Sequence, residues 1–150
     1  MRYQHTQRAP LHLILHTVAA VELVAAWVLR DEIVASQLLI IVAGLMIVVG
    51  LCCANLTVRD EGETLSVRFG PIPLFGKRLR YEDIDEVTAA RSRWIDGWGI
   101  HYIPGRGWTY NLWGFDCAEL RLGRRTIRIG TDDPQGLVAM MREKIAGAEK

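Results

Sequence analysis

The chain has 150 residues, half of them hydrophobic, with 18 Lys and Arg against 17 Asp and Glu and a formal net charge of +1. That length leaves room for one small domain beside any other element, and so even a charge balance gives no electrostatic case for a nucleic-acid partner. The three cysteines, Cys52, Cys53 and Cys117, are not spaced as a disulfide framework and fit a reducing compartment.

Two apolar runs come first, Leu11 to Leu29 and Ile33 to Ala54, split by Arg30-Asp31-Glu32. Each is close to the roughly 20 residues of helix that cross a bilayer core. A cleaved signal sequence is the alternative for the first run, with cleavage after Ala20 or Ala26. Its length, the presence of His12, His16 and Glu22, and the second run directly behind it all favour two retained spans. The second run carries no charge and is apolar all round, unlike a helix lying on a soluble core. Spans are therefore expected over residues 11–29 and 33–54, with residues 1–54 forming a tail and hairpin. Arg2, Arg8 and Arg59 flank the outer ends, whereas the connecting loop has Arg30 alone beside two acids. The positive-inside bias then puts both termini in the cytosol. The setting expected is a plasma (inner) membrane.

From Asn55 the pattern changes to short segments with period-two alternation. Leu56 to Arg59 and Leu65 to Phe69 are the first two, with Leu65, Val67 and Phe69 on one face. Gly70-Pro71-Ile72-Pro73 breaks the pattern, since proline cannot donate to a ladder. Lys77 to Tyr81 and Val87 to Arg93 follow, separated by the acidic turn Glu82 to Glu86. Trp98 to Ile103 and Trp108 to Leu112 form a hairpin around Pro104-Gly105-Arg106-Gly107. Cys117 to Leu122 and Arg125 to Ile129 form another around Gly123-Arg124. A C-terminal helix is then expected, with Asp133 as N-cap, Pro134 in its first position, Leu137, Val138, Met141 and Ile145 on one face, and Gly147 as its stop.

Two spans, about seven antiparallel strands and a final helix are the order of bacterial membrane proteins with a pleckstrin-homology-like (PH-like) domain. The chain resembles them most densely at Gly97-Trp98-Gly99-Ile100 through Pro104-Gly105, at Tyr110 to Phe115, at Ala118-Glu119-Leu120, and at Ile129 to Pro134. The resemblance spans residues 55–147 in layout. It implies an α+β fold, a partly open barrel with one end covered by the helix, over a cytosolic domain of residues 55–150. It also implies a binding or scaffolding role, and it transfers no ligand residues.

Several residues are candidate sites. Glu22 lies near the middle of the first span, where an ionisable group is costly and marks a functional candidate. The plainer alternative is a protonated acid hydrogen-bonded to a backbone carbonyl or to Gln37. His12 and His16 share a helix face at the depth of Cys52 and Cys53, and these ligand types suit zinc, copper or haem iron. Adjacent cysteines diverge by about 100° on a helix, however, so the set reads equally as interfacial histidines and buried thiols. No cofactor is expected. Trp94, Trp98, Tyr102, Trp108, Tyr110, Trp113 and Phe115 concentrate in one hairpin and its flanks. Cross-strand core packing is expected of Trp98, Tyr102, Trp108 and Tyr110, with a headgroup-level rim as the alternative.

Basic clusters lie at Lys77-Arg78 with Arg80, at Arg91 and Arg93, and at Arg121, Arg124, Arg125 and Arg128. The last four, with Trp98, Trp108 and Trp113, are the candidate contacts to anionic lipid or to a partner. The alternatives are solvated strand faces and pairing with the acidic turn. His5 and His101 have no sequence partner, and no acyl-transfer, phosphate-binding or metalloprotease motif occurs. The expectation is a non-catalytic, membrane-anchored interaction domain that contacts anionic lipid, a membrane protein partner or a second copy of itself. A small metal or haem protein built on His12, His16, Cys52 and Cys53 is the alternative.

Overall fold

The computed structural model describes residues 3–72 and 74–148. Arg2 and Pro73 therefore lie outside the described residues, as does the last part of the expected domain at 149–150. Two helices long and apolar enough to cross a membrane stand first among the helices, α1 (Leu11–Val28) and α2 (Ile33–Cys52). Only 11 % of each apolar window is buried, so neither is the core helix of the domain behind it. Both end slightly earlier than the apolar runs. Leu29 and Cys53 leave helical geometry, with ψ of 21° and 11°, as the chain turns into the charged loop and into the next strand.

The helices pack antiparallel along a seam of small residues. Ala19 and Ala26 of α1 and Ala43 and Gly50 of α2 are the buried positions that let the backbones approach. The Ser36 hydroxyl donates to the Ala26 carbonyl at 3.0 Å. The His16 imidazole occupies the space over Gly50, where a Cβ would lie 2.6 Å from its Nε2.

Among the described residues nine strands form two sheets, a correction to the seven expected from the alternation. The first sheet has the order β1-β2-β3-β4, with β1 (Gln4–Arg8), β2 (Asn55–Asp60), β3 (Thr64–Phe69) and β4 (Phe75–Arg80) all antiparallel. Strand β1 precedes the helices, in the segment expected to be tail. It pairs along its whole length with β2, from Gln4↔Arg59 to Arg8↔Asn55. Its sequence Gln-His-Thr-Gln-Arg has no apolar alternation to announce it, because it is an edge strand carrying polar side chains on both faces. The pairing places β1 and the domain at the same end of the helical hairpin.

The second sheet has the order β5-β8-β9-β7-β6, with β5 (Glu86–Arg91), β6 (Gly99–Ile103), β7 (Gly107–Asn111), β8 (Asp116–Leu122) and β9 (Arg125–Gly130). One pair departs from the expected antiparallel pattern. Strands β7 and β9 run parallel, with Trp108↔Ile127 and Tyr110↔Ile129. Strand β4 ends at Arg80 rather than Tyr81 and β5 at Arg91 rather than Arg93, and single 3-10 turns follow at Tyr81–Asp83 and Trp94–Asp96.

The core lies between the sheets. Leu56, Val58, Leu65, Val67 and Phe69 meet Leu112, Leu120, Ile127 and Ile129. Helix α3 (Pro134–Ala148) closes it with Leu137, Val138 and Met141, all buried and each contributing about 1.5–3 kcal/mol. Asp133 caps α3 as expected, its Oδ1 accepting the Gly136 N–H at 3.0 Å. Gly147 is inside the helix rather than its stop. Asp60 is buried and accepts from Lys144 at 2.9 Å, Tyr81 at 3.0 Å and the Gly62 N–H at 2.9 Å. Burial alone raises its carboxyl, but these donors hold it below the usual range.

Candidate functional site

The two sheets do not close on each other between β4 and the β6–β7 hairpin. A cleft of about 380 Å³ opens there, lined by Lys77, Tyr102, Trp108, Tyr110, Arg124 and Arg125 with the Gly105–Gly107 turn. Register explains how an apolar core turns into this cleft. Lys77 pairs with Val67 two places before Leu79 pairs with Leu65, so it projects from the core face where core packing stops. Trp108 and Tyr110 lie opposite Ile127 and Ile129 and therefore face the same interior. Tyr102 pairs with Trp108 at the free edge.

The aromatics form a ladder from core to solvent. Ring centroids are 6.2 Å apart for Tyr110 and Trp108, and 5.5 Å for Trp108 and Tyr102. Tyr110 is buried, and burial raises its phenol. Trp108 and Trp98 are each 44 % exposed and Tyr102 56 % exposed, so the expected core role holds for Tyr110 and fails for the other three. Alternation assigns a side chain to a face; among the described residues nothing lies over the free edge of β6 to cover that face.

Gly107 is required at the start of β7. Its φ is +88°, and a Cβ there would overlap the Thr126 carbonyl of β9. The adjoining Arg106 is not free to bind. Its Nε and Nη2 donate to Asp96 Oδ1 and Oδ2 at 2.7 and 2.5 Å, and the Arg93 N–H adds a bond of 2.6 Å to Oδ2. Asp96 is fully buried, and the Arg106 hydrogen bonds hold its carboxyl below the usual range. The pair fixes the β6–β7 turn and with it one wall of the cleft.

The four candidate arginines separate into two kinds. Arg121 pairs with Glu86 at 2.7 Å. Arg128 pairs with Glu119 at 2.6 Å and donates to the Arg106 carbonyl at 2.7 Å. Both point from the face of the sheet away from the core. Arg124 and Arg125, at the β8–β9 turn, have no acidic partner among the described residues, and neither does Lys77. Arg78 and Arg80 are engaged by Glu61 and Glu82. Three unpaired cations thus face one cleft whose lining contains no carboxylate.

Sequence reasoning placed Lys77 in a basic cluster with Arg78 and Arg80 and did not connect it to the arginine turn. The usable signal was its parity with Leu79. Of the three candidate tryptophans only Trp108 reaches the cleft. Trp98 stacks on Trp113 at 4.3 Å and donates to the Gly114 carbonyl at 3.3 Å, beside β1, where Gln7 bonds the Trp113 carbonyl at 2.9 Å. Trp94 is 87 % exposed at the tip of its turn.

The candidates on and beside α1 and α2 do not assemble. His12 Nδ1 meets the Ala9 carbonyl at 2.7 Å, and His16 Nε2 points toward the Ile47 carbonyl. Among the described residues no three His, Cys, Asp or Glu side chains converge to hold a metal. Glu22 lies half-buried on the helical seam. Its Oε2 is buried with no partner among the described residues, so the alternative of a bond to Gln37 or to a carbonyl does not form there. Cys117 is buried, which pushes its thiol up to about 11.

No protein-family model matches the chain, and no curated protein matches it.

Proposed function

We propose that this is a two-span protein of a bacterial inner membrane, with a cytosolic PH-like domain that holds the anionic headgroup of a lipid without transforming it. The observation that carries the reading is the cleft: Lys77, Arg124 and Arg125 unpaired beside exposed Trp108 and Tyr102. Unneutralised cations attract an anion, and the aromatic edges suit the apolar part of a headgroup. Two sheets closed by one C-terminal helix support the PH-like description. Arg8 and Arg59 at the outer ends of the spans support the cytosolic side. In the connecting loop Arg30 instead lies over the Trp27 ring at 5.6 Å.

The full chain in a neutral detergent, titrated by calorimetry with short-chain phosphatidic acid, tests this. Phosphatidic acid is expected to bind and phosphatidylcholine is not. At about 1 kcal/mol per cation, replacing Lys77, Arg124 and Arg125 with glutamine removes about 3 kcal/mol, roughly a 150-fold loss of affinity. Arg121→Gln, in an exposed ion pair, leaves binding unchanged. Equal affinity for the two lipids, or an unchanged triple variant, overturns the reading. Binding of an acidic protein segment in preference to phosphatidic acid would move the function to protein recognition.

A further inference from the structure

The β3–β4 loop carries an apolar surface that nothing among the described residues covers. Ile72 is 40 %, Leu74 61 % and Phe75 52 % exposed. From Phe69 to Gly76 the sequence has no charge, and Arg68 and Lys77 bracket it. The loop is compact at both ends. Gly70 N–H donates to the Asn55 carbonyl at 2.7 Å, and Leu74 N–H to the Ile72 carbonyl at 2.8 Å.

Its position says what the surface faces. Gly70 sits on the last turn of α2, where a Cβ would lie 2.5 Å from the Leu51 carbonyl and 2.7 Å from Cys52 Cα. A helix of 20 residues is about 30 Å long, the thickness of the hydrocarbon core. Cys52 therefore lies at the boundary of that core, and the loop leaves the domain at the same level. Phe75 pairs with Phe69 at this end of the ladder, whereas β4 runs roughly 17 Å away from it to Arg80. The geometry points to insertion of Ile72, Leu74 and Phe75 into the interfacial layer of the bilayer that α1 and α2 cross. The loop is a third membrane contact, and it fixes the tilt of the domain. Lys77, two residues on, then stands at headgroup level at the mouth of the cleft.

This inference rests on reading α1 and α2 as spans, and the test separates the two. The photo-crosslinker p-benzoylphenylalanine is placed at exposed Leu74, at Ile41 in α2 and at Asp83 beyond the far end of β4, each in the full chain reconstituted in phosphatidylcholine vesicles. Lipid adducts are read by mass spectrometry. Adducts at 74 in yield similar to 41, with none above background at 83, are expected. Adducts at 41 without adducts at 74 overturn the inference and leave the spans intact. Lipid adducts at neither position overturn both. Chain-to-chain adducts at 74 in place of lipid overturn it in favour of a contact between copies.

Discussion

Replacing Asp96 with asparagine removes the charge that Arg106 faces while keeping the shape. The carboxylate is fully buried and accepts two bonds from Arg106 and one from the Arg93 N–H. In the variant an amide N–H₂ meets one of these donors, and the guanidinium keeps its charge without a counter-charge. Breaking a buried pair costs about 3–5 kcal/mol, but the Arg106 side chain is 27 % exposed and water recovers part of that, leaving about 2–4 kcal/mol. For a domain of this size each kcal/mol moves Tm by about 4–8 °C, so the midpoint falls by roughly 8–30 °C. Near-UV circular dichroism of the full chain in detergent reads that transition. The pH dependence follows from the same contact. Arg106 lowers the folded carboxyl below its unfolded value of about 3.9, so its contribution is complete above that pH and declines as pH falls through the folded value. The gap between wild type and variant should therefore be full at pH 7 and narrow below pH 4. A midpoint within about 3 °C of wild type at pH 7, or a gap that does not narrow in acid, refutes the account.

Gly70→Ala should destabilise the full chain by about 2–4 kcal/mol, because φ is +70° and the atoms met are backbone that cannot swing away; a wild-type melting curve would show that the close approach to α2 is not real. Glu22→Leu should raise the thermal midpoint of the full chain, since it removes a buried oxygen without a partner, and Glu22→Gln should stay within about 1 kcal/mol of wild type in the same scan. Cys117 should resist maleimide at pH 8 in the folded protein and react once unfolded, because its thiol is buried and ionises only near 11; peptide mass mapping of the labelled chain shows which state is modified.

Features that depend on neighbours in sequence were legible. The charge-free stretch of α2, the Leu65-Val67-Phe69 alternation of β3 and the Asp133-Pro134 start of α3 are local signals, and all three elements form. Features set by distant partners were not. Strand β1 exists because β2 offers it a ladder some fifty residues later, with no apolar pattern of its own. The parallel pairing of β7 with β9 depends on the register of two separate hairpins. At the cleft, composition singled out Arg121, Arg124, Arg125 and Arg128 as equals. Only the placement of Glu86 and Glu119 on the outer face distinguishes the paired two from the free two. Trp108 and Tyr102 were assigned to the right face, but whether a face is covered is decided by the sheet opposite.

On the proposed reading of α1 and α2 as membrane spans, placing that hairpin between two strands of one ladder sets an order of assembly. During synthesis β1 emerges first, yet its partner β2 follows α2, so the first sheet cannot form until both helices have been made. Insertion has to be completed with both ends returned to the same side before Gln4–Arg8 can meet Asn55–Asp60. A chain with only one helix inserted would strand the two halves of the ladder on opposite sides of the bilayer and leave β2 with an open edge. On that reading completion of the sheet reports correct topology, and a misinserted chain carries an unpaired strand.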